Sequence, residues 1–76
     1  MTPAQIIATR LGLTEPPTPD ATLASLGADS LDGLEVVLDL EEAFAIEITD
    51  DEADAADTVA KCEALVAAKV AGREGL

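Results

Sequence analysis

The stretch "GADSLDGLEVVLDLEEAF", residues 27–44, decides how this chain folds. From Ser30 to Phe44 it contains no proline, and its apolar residues recur at helical spacing. At about 100° per residue on an ideal helix, Val36, Val37, Leu40 and Phe44 fall within an arc of about 100° and form a core stripe. Leu31, Leu34 and Leu38 cluster on roughly the opposite side. A domain of 76 residues cannot bury both sides of one helix well, so one stripe is at least partly exposed. The leucine stripe is expected to be the exposed one, because Glu35 and Glu42 flank it on one side and Glu41 on the other. An apolar strip rimmed by one sign of charge outlines a docking surface, in which carboxylates steer a basic partner and leucines fill its pockets. The competing reading puts Leu31 and Leu34 beneath the preceding loop.

Outward from this helix the chain reads as further short helices. In "TPAQIIATRLGL" (2–13), Thr2 caps a helix, Pro3 suits its first position and Gln5 completes a capping box. Ile6, Ile7 and Leu11 give its buried face, and Gly12 is a left-handed stop with Leu13 packing back behind it. "TEPPTPD" (14–20), with three prolines, is an extended loop. "ATLASLG" (21–27) makes a turn of helix that directs Leu23 and Leu26 inward and ends at Gly27. After Phe44, "AIEI" is a connector with Ile46 and Ile48 turned to the core. "TDDE" is a second capping box, Thr49 with Glu52, opening a short third helix that runs to about Ala56. Asp57 or Thr58 caps a fourth helix, with Val59, Cys62, Val66 and Val70 at helical spacing and Gly72 at its stop. The expected fold is all-α: one domain over 1–76, a small bundle of four helices, three main ones and a short third.

Composition agrees and excludes several functions. Hydrophobic residues are 49% of the chain, yet it has one Phe and neither Tyr nor Trp, which favours a helical bundle over a β-sandwich. No apolar stretch approaches the roughly 20 residues needed to span a bilayer, and no basic leader precedes an apolar run, so no membrane partner is expected. A lone Cys62 forms no internal disulfide, and a reducing, cytoplasmic setting is the expectation. One cysteine and no histidine leave no structural zinc site and no Ser–His or Cys–His nucleophilic pair.

The net charge is -12 and is unevenly distributed. Between Arg10 and Lys61 no side chain is positive, and the segment from Asp29 to Asp57 holds twelve of the sixteen acids. Such a field repels nucleic acid and attracts basic protein surfaces and divalent cations. Asp50, Asp51, Glu52 and Asp54 lack the glycine and terminal glutamate of an EF-hand loop, so no dedicated metal site is expected, only weak screening that raises the melting temperature.

Ser30 is the polar residue that most needs a role. As a helix N-cap it would accept a backbone amide bond worth about 1 kcal/mol. As a nucleophile it lacks a base, because there is no histidine and the nearest lysine in sequence is Lys61. As an acceptor of a phosphoryl-linked group it fits well: a phosphodiester there meets the positive end of the helix dipole and free amides.

The stretch "LGADSLDGLEVVLDLEEAF" followed by "IEITDDEADAADTV" resembles the acyl carrier protein family, from about Thr22 through the fourth helix. The motif Asp29-Ser30-Leu31 carries the likeness, together with Gly27, the spacing of Glu35, Glu41 and Glu42, Phe44, and the acidic third helix. The resemblance implies that a phosphopantetheinyl transferase moves 4′-phosphopantetheine from coenzyme A to the Ser30 hydroxyl, with Asp29 helping to engage that enzyme and its metal. The arm's thiol then carries acyl groups as thioesters. Partner enzymes with basic docking patches are implied to meet Leu31, Asp32, Leu34, Glu35, Leu38, Glu41 and Glu42. An acyl pocket is implied among Val36, Val37, Leu40, Phe44, Ile48, Ala56 and Val59. The implied protein is a monomeric carrier and not an enzyme, serving fatty acid biosynthesis or, as the alternative, polyketide or other acyl-transfer chemistry. Gly33 inside the recognition helix and Ala56 in place of a larger aliphatic depart from the family pattern, as does the short first helix. A reading of another class stays open beside this one, an acidic helical adaptor or ion-buffering module that is never modified.

Overall fold

A computed structural model describes residues 1–74. Within them the chain forms α1 (Pro3–Leu11), a 3-10 turn at Ala24–Leu26, α2 (Ser30–Phe44), the short α3 (Asp50–Ala55) and α4 (Val59–Glu74). This is the all-α bundle expected, with no strand among the described residues.

The starts of the first three helices are fixed by local chemistry. Thr2 Oγ1 accepts from the Gln5 amide (3.2 Å) while Gln5 Oε1 accepts from the Thr2 amide (2.7 Å). Thr49 and Glu52 repeat the reciprocal pair at α3 (3.2 and 3.0 Å). Each box satisfies two amides that the helix itself leaves unpaired. Gly12 ends α1 with φ 68°, the left-handed conformation in which a side chain is strained. α2 ends after Phe44, where expected, on Ala45 in the left-handed region (φ 55°), a job usually given to glycine. One boundary differs from expectation. α4 runs through Gly72 to Glu74 instead of stopping at it, since a helix tolerates a glycine at a cost of about 1 kcal/mol.

The core is built from Ile6 and Ile7 of α1, Val36 and Leu40 of α2, Ile46, and Ala56, Val59, Cys62 and Val66. Helix α1 packs against both α2 and α4. Cys62 behaves as a small hydrophobe: its Sγ donates to the Ala56 carbonyl at 3.3 Å, and burial pushes its thiol pKa up, with Asp57 and Glu63 adding to the rise. The end of the proline-rich loop is tied down by main-chain bonds to the start of α4. The amides of Val59 and Ala60 donate to the carbonyls of Ala21 (3.0 Å) and Pro19 (2.8 Å), and the Leu23 amide donates to Asp57 (3.1 Å). These ties hold the approach to α2 in place.

Candidate functional site

The N-terminus of α2 is closed by Asp29 and not by Ser30. Asp29 has extended backbone and its Oδ1 accepts from the Asp32 amide (2.9 Å), while Asp32 Oδ2 accepts from the Asp29 amide (3.2 Å). Two adjacent residues can each cap, and the carboxylate three residues further on selects Asp29. Ser30 becomes the first residue of the helix. Its side chain is exposed, and among the described residues its hydroxyl has no hydrogen-bond partner. Gly27 (φ 90°) turns the chain just before it, and the Ala28 amide donates back to Leu23 (3.1 Å), fixing the approach.

Beside Ser30 a cavity of about 490 Å³ opens between α2 and α3. Five of the seven residues expected to form an acyl pocket line it: Val36, Val37, Leu40, Ile48 and Ala56. The other two do not. Val59 is fully buried elsewhere in the core, and Phe44 is half-buried against it. Gly33, Leu34, Cys62 and Leu65 also line the cavity and were not foreseen, since only the packing of α3 and α4 on α2 brings them to one space. A larger, more open depression of about 720 Å³ lies on the α1 flank of α2, and Ser30 is not in its lining.

The leucine stripe stands in solvent: Leu31, Leu34 and Leu38 are 61%, 55% and 53% exposed, so none of them is covered by the preceding loop. The acids beside it do not all stand free. Arg10 of α1 donates through Nε and Nη2 to both oxygens of Asp39 (2.7 and 2.9 Å) and through Nη1 to Glu35 (2.9 Å). The guanidinium hydrogen bonds hold the Asp39 carboxyl below the usual carboxylate range, and Asp39 in turn raises Arg10. Glu41 Oε2 accepts from the Ile48 amide at 2.8 Å and pins the connector after α2. Glu42 is exposed and makes no ion pair among the described residues. Arg10 and Asp39 were missed in the sequence; the available signal was that Asp39 lies one turn after Glu35 and Arg10 is the lone cation of the first sixty residues.

Among the described residues no helix is long and apolar enough to cross a membrane, and no three acidic or cysteine side chains stand together as a metal site. The hydroxyl is accessible, and among the described residues no side chain is hydrogen-bonded to it to take its proton, so the arrangement suits a site that receives a group from an enzyme. The fit to a phosphodiester is physical: the Ser30 oxygen stands unbonded in the first turn of a fifteen-residue helix, where aligned peptide dipoles favour an anion.

Comparison with known proteins agrees with this geometry. Residues 4–66 match the family described as phosphopantetheine attachment site. The chain is 52% identical over 56 residues to an acyl carrier protein of Syntrophobacter fumaroxidans, covering 71% of this chain and 69% of that protein. It is 49% identical over 57 residues to an acyl carrier protein of Rubrobacter xylanophilus, covering 72% and 70%.

Proposed function

We propose, from the premise that this chain belongs to the acyl carrier protein family, that Ser30 is where it receives 4′-phosphopantetheine and that α2 is the face it offers to partner enzymes. Members of the family are carriers rather than enzymes, and 4′-phosphopantetheine is their prosthetic group. When attached, the group supplies a thiol on a flexible arm that holds acyl chains as thioesters. One observation carries the assignment of Ser30. Its hydroxyl is exposed and unbonded because Asp29 does the capping, so modification costs the fold nothing.

The other roles follow from the chain's own residues. Asp29 uses one carboxylate oxygen in the capping box, which leaves the second for the transferase. Leu31, Leu34 and Leu38 supply apolar contact, and Asp32, Glu35, Glu41 and Glu42 supply the attracting charge. Glu35 and Glu41 also hold Arg10 and the Ile48 amide, so their substitution mixes docking with structure. The cavity beside Ser30 is apolar along Val36, Val37, Leu40 and Ile48 and suits the tail of a carried acyl chain.

Fatty acid biosynthesis in the cytoplasm is the pathway we assign, with the protein a monomer. The net charge of -12 supports it, as it suits a carrier that visits several separate basic enzymes by diffusion. A specialised carrier for polyketide or other acyl transfer is the second reading, favoured by Gly33 within the docking helix.

Incubation with coenzyme A, Mg²⁺ and a broad-specificity phosphopantetheinyl transferase tests the attachment. Intact mass should show one added phosphopantetheine on the parent chain and none on Ser30→Ala. An unmodified parent puts the adaptor reading ahead. Reaction of the loaded carrier with purified fatty acid or polyketide synthases then separates the two pathways.

A further inference from the structure

Along its α1 edge the docking helix carries four carboxylates, Asp32, Glu35, Asp39 and Glu42, and the chain's own Arg10 lies across the middle two. The grip on Asp39 uses both carboxylate oxygens, a fork-on-fork geometry that a guanidinium makes and an ammonium does not. Three N–H groups of Arg10 are spent on these acids. The side chains of Arg10, Glu35 and Asp39 remain 39%, 35% and 28% exposed, so the cluster lies at the surface where a partner would touch it. Among the described residues the two ends of this edge, Asp32 and Glu42, make no ion pair, although Asp32 keeps its capping bond from the Asp29 amide. They are ten residues apart, about 15 Å along the axis at 1.5 Å per residue, with Leu34 and Leu38 between them.

Resting on the docking reading above, we propose that Arg10 is a partner-selecting residue. It neutralises the Glu35–Asp39 centre of the acidic edge and leaves a two-ended charge pattern. The surface that fits is basic, with two cationic groups about 15 Å apart and an apolar pocket between them. A partner whose cations are bunched at the centre meets the repulsion of Arg10 and must displace a bidentate pair to bind.

The phosphopantetheinyl transferase is the probe, with the unmodified chain and no coenzyme A, and association rates are read by surface plasmon resonance over a series of salt concentrations. Arg10→Gln takes the net charge from -12 to -13. It should speed association at low ionic strength by roughly threefold or more and steepen its salt dependence. The deciding measurement is a double-mutant cycle. With Arg10 masking Glu35, Glu35→Gln should slow association at least about threefold more in the Arg10→Gln background than with Arg10 present. Equal slowing in both backgrounds overturns the inference and leaves Arg10 a strut between α1 and α2. Arg10→Lys keeps the charge and gives up the fork; it should fall between parent and Arg10→Gln, and circular dichroism establishes that each variant is folded. Leu34→Ala and Glu42→Lys test the underlying reading separately. If neither weakens binding, or the parent does not bind, the docking face itself is wrong, whatever Arg10 does.

Discussion

Asp29 and Asp32 accept hydrogen bonds from each other's backbone amides at 2.9 and 3.2 Å, and the serine enclosed between them contributes nothing to the helix start. Ser30→Ala should therefore change stability by less than about 0.5 kcal/mol, as a surface substitution does. Asp29→Ala should cost about 1 kcal/mol through loss of the cap. In a domain of this size that is a fall of roughly 4–8 °C in Tm, which a thermal melt resolves. Equal losses in the two variants would return the capping role to Ser30.

Two leucines of α2 separate docking from folding. Leu40 is 2% exposed and Leu34 is 55% exposed. Leu40→Ala should cost about 2–5 kcal/mol in urea denaturation through lost burial and the cavity left behind. Leu34→Ala should stay within about 0.5 kcal/mol of the parent and yet slow modification by the transferase. A large stability loss at Leu34 would mean that it is part of the core.

Gly33 within α2 and Ala45 just after it are each the less favourable residue for their backbone. A Cβ built on Gly33 meets nothing within 4 Å, and the position is helical. Gly33→Ala should stabilise the protein by up to about 1 kcal/mol. Ala45 has φ 55°, where an L side chain is strained, and Ala45→Gly should add about 1 kcal/mol. The two gains should sum in a thermal melt of the double variant, because the sites are three turns apart. A loss of stability in Gly33→Ala would show that the cavity wall has no room for a methyl group.

Asp39, Glu52 and Asp57 are held below the usual carboxylate range by hydrogen bonds from Arg10, Lys69 and Lys61 respectively. In each case the folded chain stays charged at a pH where the unfolded chain already takes up a proton. The stabilisation is complete above the ordinary carboxylate range and is lost as pH falls through the lowered folded values. Asp39→Asn removes one such group, so its urea midpoint should fall less steeply than the parent's below about pH 4. Acid also relieves self-repulsion among the remaining carboxylates, but it does so in both proteins and cancels in the difference. Parallel acid limbs would mean that the Arg10–Asp39 pair adds nothing to stability.

What could be read in advance were the features written within a few residues of one another. Thr2-Pro3-Gln5 and Thr49-Glu52 announce their helices, Gly12 announces a stop, and the two stripes of α2 separate core from surface by angle alone. What could not be read depended on distant partners or on competition between neighbours. Arg10 meets Glu35 and Asp39 across 25 and 29 positions, and no periodicity in the sequence encodes such a pairing. Glu41 looked like a free surface acid until the connector folded back to give it the Ile48 amide. Ser30 was the cap read from the sequence, and the reciprocal bonds of Asp29 and Asp32 give that place to its neighbour. The lining of the cavity was only partly legible, because Cys62 and Leu65 reach it from a helix that begins nearly thirty residues after Ser30.

The start of α4 is built on a different principle from the other helices. Thr58 Oγ1 accepts from the Lys61 amide within one turn, but the amides of Val59 and Ala60 are taken by carbonyls about forty positions earlier in the chain. In a denatured molecule those two amides have only water. The first turn of α4 and residues 19–23 therefore order together and open together, as one cooperative unit in the sense that amide hydrogen exchange reports. The start of α4 thus carries the chain-entropy cost of a loop closure of about forty residues, while the remaining helix starts assemble from sequence neighbours.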